Sequence, residues 1–135
     1  MPRTSRDFQR VAAQRLTTAE FLLENGSYNL DAKYLAGYTV ECALKALILY
    51  LTPRAKQAEM LKKITSGRKM HDYEILGGEL KMRGQPIPLA LVTKFRRYKW
   101  STDLRYEAGT LPRGETRGFL KTAKAVYNWV KGQLL

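Results

Sequence analysis

Residues 11–48 read VAAQRLTTAEFLLENGSYNLDAKYLAGYTVECALKALI, and this stretch decides the fold. Ahead of Gly26, Val11, Ala12, Leu16, Ala19, Leu22 and Leu23 recur at three- and four-residue spacing. Together with Phe8 they share one helical face. Beyond Gly26 the pattern resumes in Leu30, Tyr34, Leu35, Tyr38, Cys42, Ala43, Ala46, Leu47 and Tyr50. The spacing predicts one helix over 5–25, capped by Thr4 or Ser5, and a second over 29–51 that Pro53 ends. A glycine just past a last turn adopts the left-handed conformation cheaply. So short a connection forces an antiparallel hairpin. Gly37 interrupts the second helix at a cost of up to about 1 kcal/mol relative to alanine, which close approach by another helix would offset.

Working outward, 54–64 reads as a short third helix and Thr65-Ser66-Gly67 as a turn. Tyr73, Leu76 and Leu80 give 71–80 a helical spacing that Gly77-Gly78 weakens, and 84–88 is a loop. A helix over 89–99 turns Leu91, Phe95 and Tyr98 inward, with Val92 beside them. A long connection over 100–117 holds a turn of helix near 103–107. A final helix over 115–134 carries Phe119, Leu120, Ala123, Val126, Tyr127, Val130 and Leu134 on one side. No window alternates with the period of a strand. The expectation is a single domain over 1–135: an all-α, antiparallel, up-and-down bundle of four or five helices.

The 135 residues carry 24 Lys+Arg against 12 Asp+Glu, a net charge of +12. Residues 1–67 hold 10 basic and 6 acidic groups, and residues 68–135 hold 14 and 6, so the second half is the more basic. Such an excess attracts polyanions, making RNA or a nucleotide the expected partner and an acidic protein the alternative. The lone Cys42 excludes an intrachain disulfide and agrees with a reducing cytoplasm, the expected location. The most apolar run, 43–51, is broken by Lys45 and falls short of the roughly 20 residues a membrane span needs, so no membrane association is expected. No apolar segment follows the charged first ten residues as a secretory signal would require.

The hairpin also carries a motif: Arg15, Leu16, Ala19, Leu22 and Leu23, then Gly26 and Tyr28, then Tyr38, Glu41, Leu44, Lys45 and Ala46. Later come His71, Asp72 and Leu76, and the pair Arg105-Tyr106. This pattern, over roughly residues 8–130, resembles the HEPN domain family. The resemblance implies a four- or five-helix bundle, usually a homodimer. Many such domains are encoded beside a minimal nucleotidyltransferase in a toxin–antitoxin or defence pair. A large branch are metal-independent ribonucleases with an Arg-x4-6-His motif. Here the single histidine, His71, has Arg68 as its nearest upstream arginine with only Lys69 and Met70 between, and no histidine follows Arg96, Arg97, Arg105, Arg113 or Arg117. The expectation is therefore a non-catalytic or degenerate HEPN module that binds RNA or nucleotide. One alternative is a ribonuclease with a nonstandard site, and another a pure protein-interaction subunit.

Specific residues carry these readings. His71 with Arg68 or Arg105 is the catalytic candidate, because acid–base work on a phosphodiester needs a titratable group and a phosphate-positioning cation. The plainer role for His71 is to orient the next helix beside Asp72. Glu41 and Lys45, one turn apart, are expected to form an ion pair, with Arg105 compensating its burial and Lys45 available to a phosphate. Lys94-Phe-Arg-Arg-Tyr-Lys-Trp100 interleaves cations with aromatics. Phe95 and Tyr98 belong to the core by spacing, leaving Arg96, Arg97 and Lys99, with Arg105 and Tyr106, as the expected ligand contacts. Arg54, Lys56, Lys62, Lys63, Arg68 and Lys69 form a second basic cluster opposed only by Glu59. The Cys and His content supplies no zinc ligand set and no phosphate-binding glycine loop is present, so neither a metal nor a cofactor is expected.

Overall fold

A capping box starts the first helix, α1 (Ser5–Glu24): Thr4 Oγ1 accepts from the Asp7 amide at 3.1 Å and Asp7 Oδ2 accepts from the Thr4 amide at 3.2 Å. The Asp7 carboxyl is held below its ordinary value, chiefly by the Arg3 amide that also donates to it. Thr4→Ala removes one of these reciprocal bonds and is expected to cost about 1 kcal/mol, read as a fall of about 4 °C in Tm by differential scanning calorimetry. An unchanged Tm would show that the first turn is held from elsewhere.

The computed structural model describes residues 1–109 and 111–134, apart from the side chains of residues 68 and 69. After α1 come α2 (Asn29–Leu51), α3 (Gln57–Ile64), α4 (Tyr73–Met82), α5 (Leu89–Arg97) and α6 (Arg113–Gln133). Short 3-10 turns stand at Arg54–Lys56, Arg68–His71 and Thr102–Tyr106. The described residues contain no strand, so the all-α expectation holds, with six α-helices rather than four or five.

Helix α2 is the axis of the molecule. It packs against α1, α3, α4, α6 and the Thr102–Tyr106 turn. Sequence spacing assigned it one apolar face, but Ala36, Val40, Leu44, Ile48 and Leu49 on other sides are buried as well, while Tyr50 is exposed. A helix apolar all round is a core helix or a membrane span. By length and composition α2 would pass for a span, contrary to the expectation drawn from the 43–51 run alone, yet 72% of its apolar window is buried inside the bundle.

The other helices close around this axis. Phe119 of α6 is fully buried, and its ring meets those of Phe95 at 5.3 Å and Tyr98 at 5.2 Å, joining α5 to α6. Helix α4 forms despite Gly77-Gly78, because Leu76 and Leu80 are fully buried and Asp72 caps its start by accepting from the Glu74 amide at 2.8 Å. Lys63 of α3 and Arg83 at the end of α4 both pair with Glu79. Burial works to raise the Glu79 carboxyl, but the two cations outweigh it and hold it below its ordinary value.

Gly37 meets an indole rather than another helix. A β-carbon built there would lie 1.9 Å from Cε2 of Trp100. The approach is set by Lys99, which has φ 49°, the left-handed region uncommon for side-chain-bearing residues. Its amide donates to the Arg96 carbonyl at 3.2 Å, closing α5 and turning the chain so that Trp100 falls on α2.

Candidate functional site

Tyr34, Tyr38, Glu41 and Lys45 follow one another along α2 at three- and four-residue steps, on one stripe. The stripe faces the α1 residue Arg15 and, from the segment before α4, His71. Together they line a cleft of about 420 Å³, to whose lining Met1 and Pro2 also belong. On the other side of His71 lies a smaller hollow of about 210 Å³, lined by Asp72, Tyr73, Trp100, Ser101 and Thr102. His71 is the side chain common to both, and it remains 40% exposed.

At the centre Glu41 divides its carboxylate between two donors. Oε2 accepts from Lys45 Nζ at 2.9 Å, and Oε1 accepts from His71 Nδ1 at 2.9 Å. Glu41 and Lys45 are nearly inaccessible, at 6% and 4% exposure. Two charges taken from water at this depth persist only when paired and hydrogen-bonded. The expected compensation by Arg105 is supplied instead by His71, which reaches Glu41 from thirty positions along the chain.

Aromatic rings form the wall beside this network. The Tyr38 ring stands 6.2 Å from the His71 ring and 5.5 Å from Trp100, both edge-on. The Tyr34 and Tyr38 hydroxyls are 3.3 Å apart, and Trp100 Nε1 donates to the Tyr34 carbonyl at 3.2 Å. Burial pushes the Tyr38 phenol up, its neighbour Tyr34 and the Glu41 charge add to this, and the positive charge of Arg105 opposes it. Arg105 lies over the Tyr106 ring at 4.8 Å. Its guanidinium is held above its ordinary value first by Tyr106 and also by Tyr34, so it belongs to the same corner of the molecule. Cys42 lies at the base of the cleft, and burial raises its thiol to about 12, which makes it a packing group rather than a nucleophile at neutral pH.

The residues singled out in the sequence fall into distinct places. Glu41, Lys45 and His71 come together, with Lys45 buried in its pair, while Arg105 stands beside Tyr34 and Tyr106. Asp72 is the cap of α4. Tyr106 is exposed at 76% and stacks under Arg105. Arg96 is paired with Glu74 and so is not a free cation. Arg97 and Lys99 are exposed, and Lys99 is also the residue that terminates α5. The Arg68 side chain lies outside the described residues. Sequence reasoning gave no functional weight to Tyr34 or Trp100. The one available signal was Tyr34 standing a helical turn before Tyr38, with Gly37 between them as a site for a large ring.

Among the described residues no group of three His, Cys, Asp or Glu side chains is placed to hold a metal ion. What the arrangement offers is an anion cradle: the exposed Arg15, the neighbouring Arg105 and a histidine, around a carboxylate whose two oxygens are already engaged. The sequence profile of the HEPN domain matches residues 5–133, nearly the whole chain. No curated protein and no solved structure matches it.

Proposed function

Because the chain belongs to the HEPN domain family, and because Arg15, Tyr38, Glu41, Lys45 and His71 of its motif line one cleft, we propose that it binds RNA or a nucleotide by its phosphate at the cleft around His71. The observation that carries this reading is the engagement of Glu41. With Lys45 and His71 on its two oxygens, the one carboxylate lining the cleft does not repel an anion. Arg15, in the lining, and Arg105, beside Tyr34, have no carboxylate within 4 Å among the described residues and supply the attraction, while Tyr34 and Tyr38 offer rings for a base. Arg97 and Lys99, exposed and likewise unpaired, add to the field that draws a polyanion in. Work beside a nucleotidyltransferase partner in a toxin–antitoxin or defence pair is part of the same proposal, resting on the family alone.

Binding of a fluorescein-labelled RNA at two salt concentrations tests it. A single strand contacted through four phosphates should bind roughly fifty-fold more weakly at 200 mM than at 50 mM salt. Arg15→Ala and Arg105→Ala should each weaken binding and flatten the salt slope. Absence of binding at low salt would end the proposal.

The Glu41–His71 pair favours a second reading, a metal-independent ribonuclease. Glu41 fixes the ring through Nδ1, leaving Nε2 for proton exchange. His71 would take the proton of a ribose 2′-hydroxyl as that oxygen attacks the adjacent phosphorus. The 5′-oxygen would then leave with a proton from water, giving a 2′,3′-cyclic phosphate. Equal cleavage of RNA by the native chain and by His71→Ala would remove this reading.

A further inference from the structure

A second hollow, of about 660 Å³, lies elsewhere, between the end of α2, helix α3 and the end of α4. Its walls include Lys56, Met60, Lys62, Ser66 and Arg83, with Glu59 the one carboxylate among them. Lys56 and Lys62 are exposed and have no carboxylate within 4 Å among the described residues. Lys63 and Arg83 are spoken for by Glu79. Arg83 is held on three sides: Nη1 donates to the Glu79 carbonyl and carboxylate, both at 2.8 Å, and Nη2 lies 3.7 Å from Met60 Sδ. A guanidinium immobilised in this way presents a flat cationic face on which a nucleobase stacks.

This hollow and the His71 cleft adjoin at one turn. Thr65 lines the cleft and Ser66 lines the hollow, and consecutive α-carbons are only about 3.8 Å apart. Both hydroxyls are turned back onto α3, Thr65 donating to the Leu61 carbonyl at 2.7 Å and Ser66 to the Lys62 carbonyl at 2.6 Å.

We infer that the hollow is a second phosphate subsite, and that the ligand is a single-stranded oligonucleotide running from the His71 cleft across the Thr65–Ser66 turn to Lys56, Lys62 and Arg83. The inference rests on the reading above, that the cleft takes a nucleotide phosphate. A flexible strand with a charge at every nucleotide reaches both hollows, whereas a mononucleotide fills one. An acidic protein would meet the lysines but has no base to place on Arg83.

The test compares labelled ten-nucleotide oligouridylate with uridine monophosphate on the native chain and on Lys56→Gln/Lys62→Gln. Both lysines are exposed, so the double variant leaves the core intact. Oligouridylate should bind the variant roughly tenfold or more weakly at low salt, with a salt slope smaller by about 1.4. Monophosphate binding, followed by chemical-shift titration, should be unchanged. Oligouridylate binding that is equal in variant and native chain overturns the inference while leaving the cleft reading in place. So does a variant that loses only a decaglutamate peptide, which would assign the hollow to an acidic protein. If the native chain binds neither nucleotide, the cleft reading falls and this inference with it.

Discussion

Glu41→Ala is expected to destabilise the protein by about 3–5 kcal/mol, more than any other single change at the cleft. Among the described residues the carboxylate is the sole partner of Lys45, an ammonium at 4% exposure, and it also fixes the His71 ring. Removing it leaves a buried cation uncompensated, the most expensive outcome for such a pair. The pair itself is not the source of that cost. Replacing both members, in Glu41→Met/Lys45→Met, should restore most of the stability, because two buried charges and two apolar groups of similar volume are often near equal. Chemical unfolding of the single and double variants measures this directly. A loss under 1 kcal/mol in Glu41→Ala would show that Lys45 finds water through the cleft. The double variant also separates roles: it should fold, yet bind RNA more weakly because His71 has lost its orienting group.

The second large effect is at Gly37. Alanine there should destabilise the protein, by up to about 4 kcal/mol, although alanine is favoured over glycine inside a helix by about 1 kcal/mol. The new methyl would lie 1.9 Å from Cε2 and 2.1 Å from Nε1 of Trp100. Either α2 and the indole are forced apart, at the 1–3 kcal/mol typical of overpacking, or Trp100 leaves its seat, at the 3–5 kcal/mol of a lost buried aromatic. Set against the gain in helix propensity, the first leaves a net loss of up to about 2 kcal/mol and the second of about 2–4 kcal/mol. Gly78→Ala is the control, since a β-carbon there meets nothing within 4 Å and should stabilise the protein by up to about 1 kcal/mol. In a Trp129→Phe background, Trp100 emission should shift to the red in Gly37→Ala. Equal stability of the two alanine variants would mean that the indole is not seated as described.

These two sites also mark where the sequence was legible. The ends of α1 and α2 were visible in it because local chemistry fixes them: Thr4 and Asp7 at one start, Gly26 at the hairpin, Pro53 after the second helix. Helix α4 was harder, since two glycines argue against it and what overrides them is the complete burial of Leu76 and Leu80. The all-round burial of α2 was hidden because alanines and small aliphatics read equally well on an inner or an outer face. The ion pair of Glu41 with Lys45 follows from spacing along one helix, whereas the choice of His71 over Arg105 as its third member is a contact between distant segments. The same holds for Trp100 on Gly37: each was noticed alone, and only the left-handed turn at Lys99 brings them together. Arg96, read as a ligand contact, was lost to Glu74 across the α4–α5 gap.

The central position of α2 has a consequence for how the chain tolerates change. A helix at the rim of a bundle can absorb random replacements on its wet side, but one wrapped by neighbours has almost no position where a new side chain goes unnoticed. In a saturation library scored for folding, nearly every column from 30 to 49 should accept few substitutes, while α1 and α6 alternate between permissive and intolerant columns each turn. Evolutionary drift would then be slowest along the coil most enclosed by its neighbours, and a hallmark by which kinship is detected would persist there whatever becomes of the chemistry at its edge.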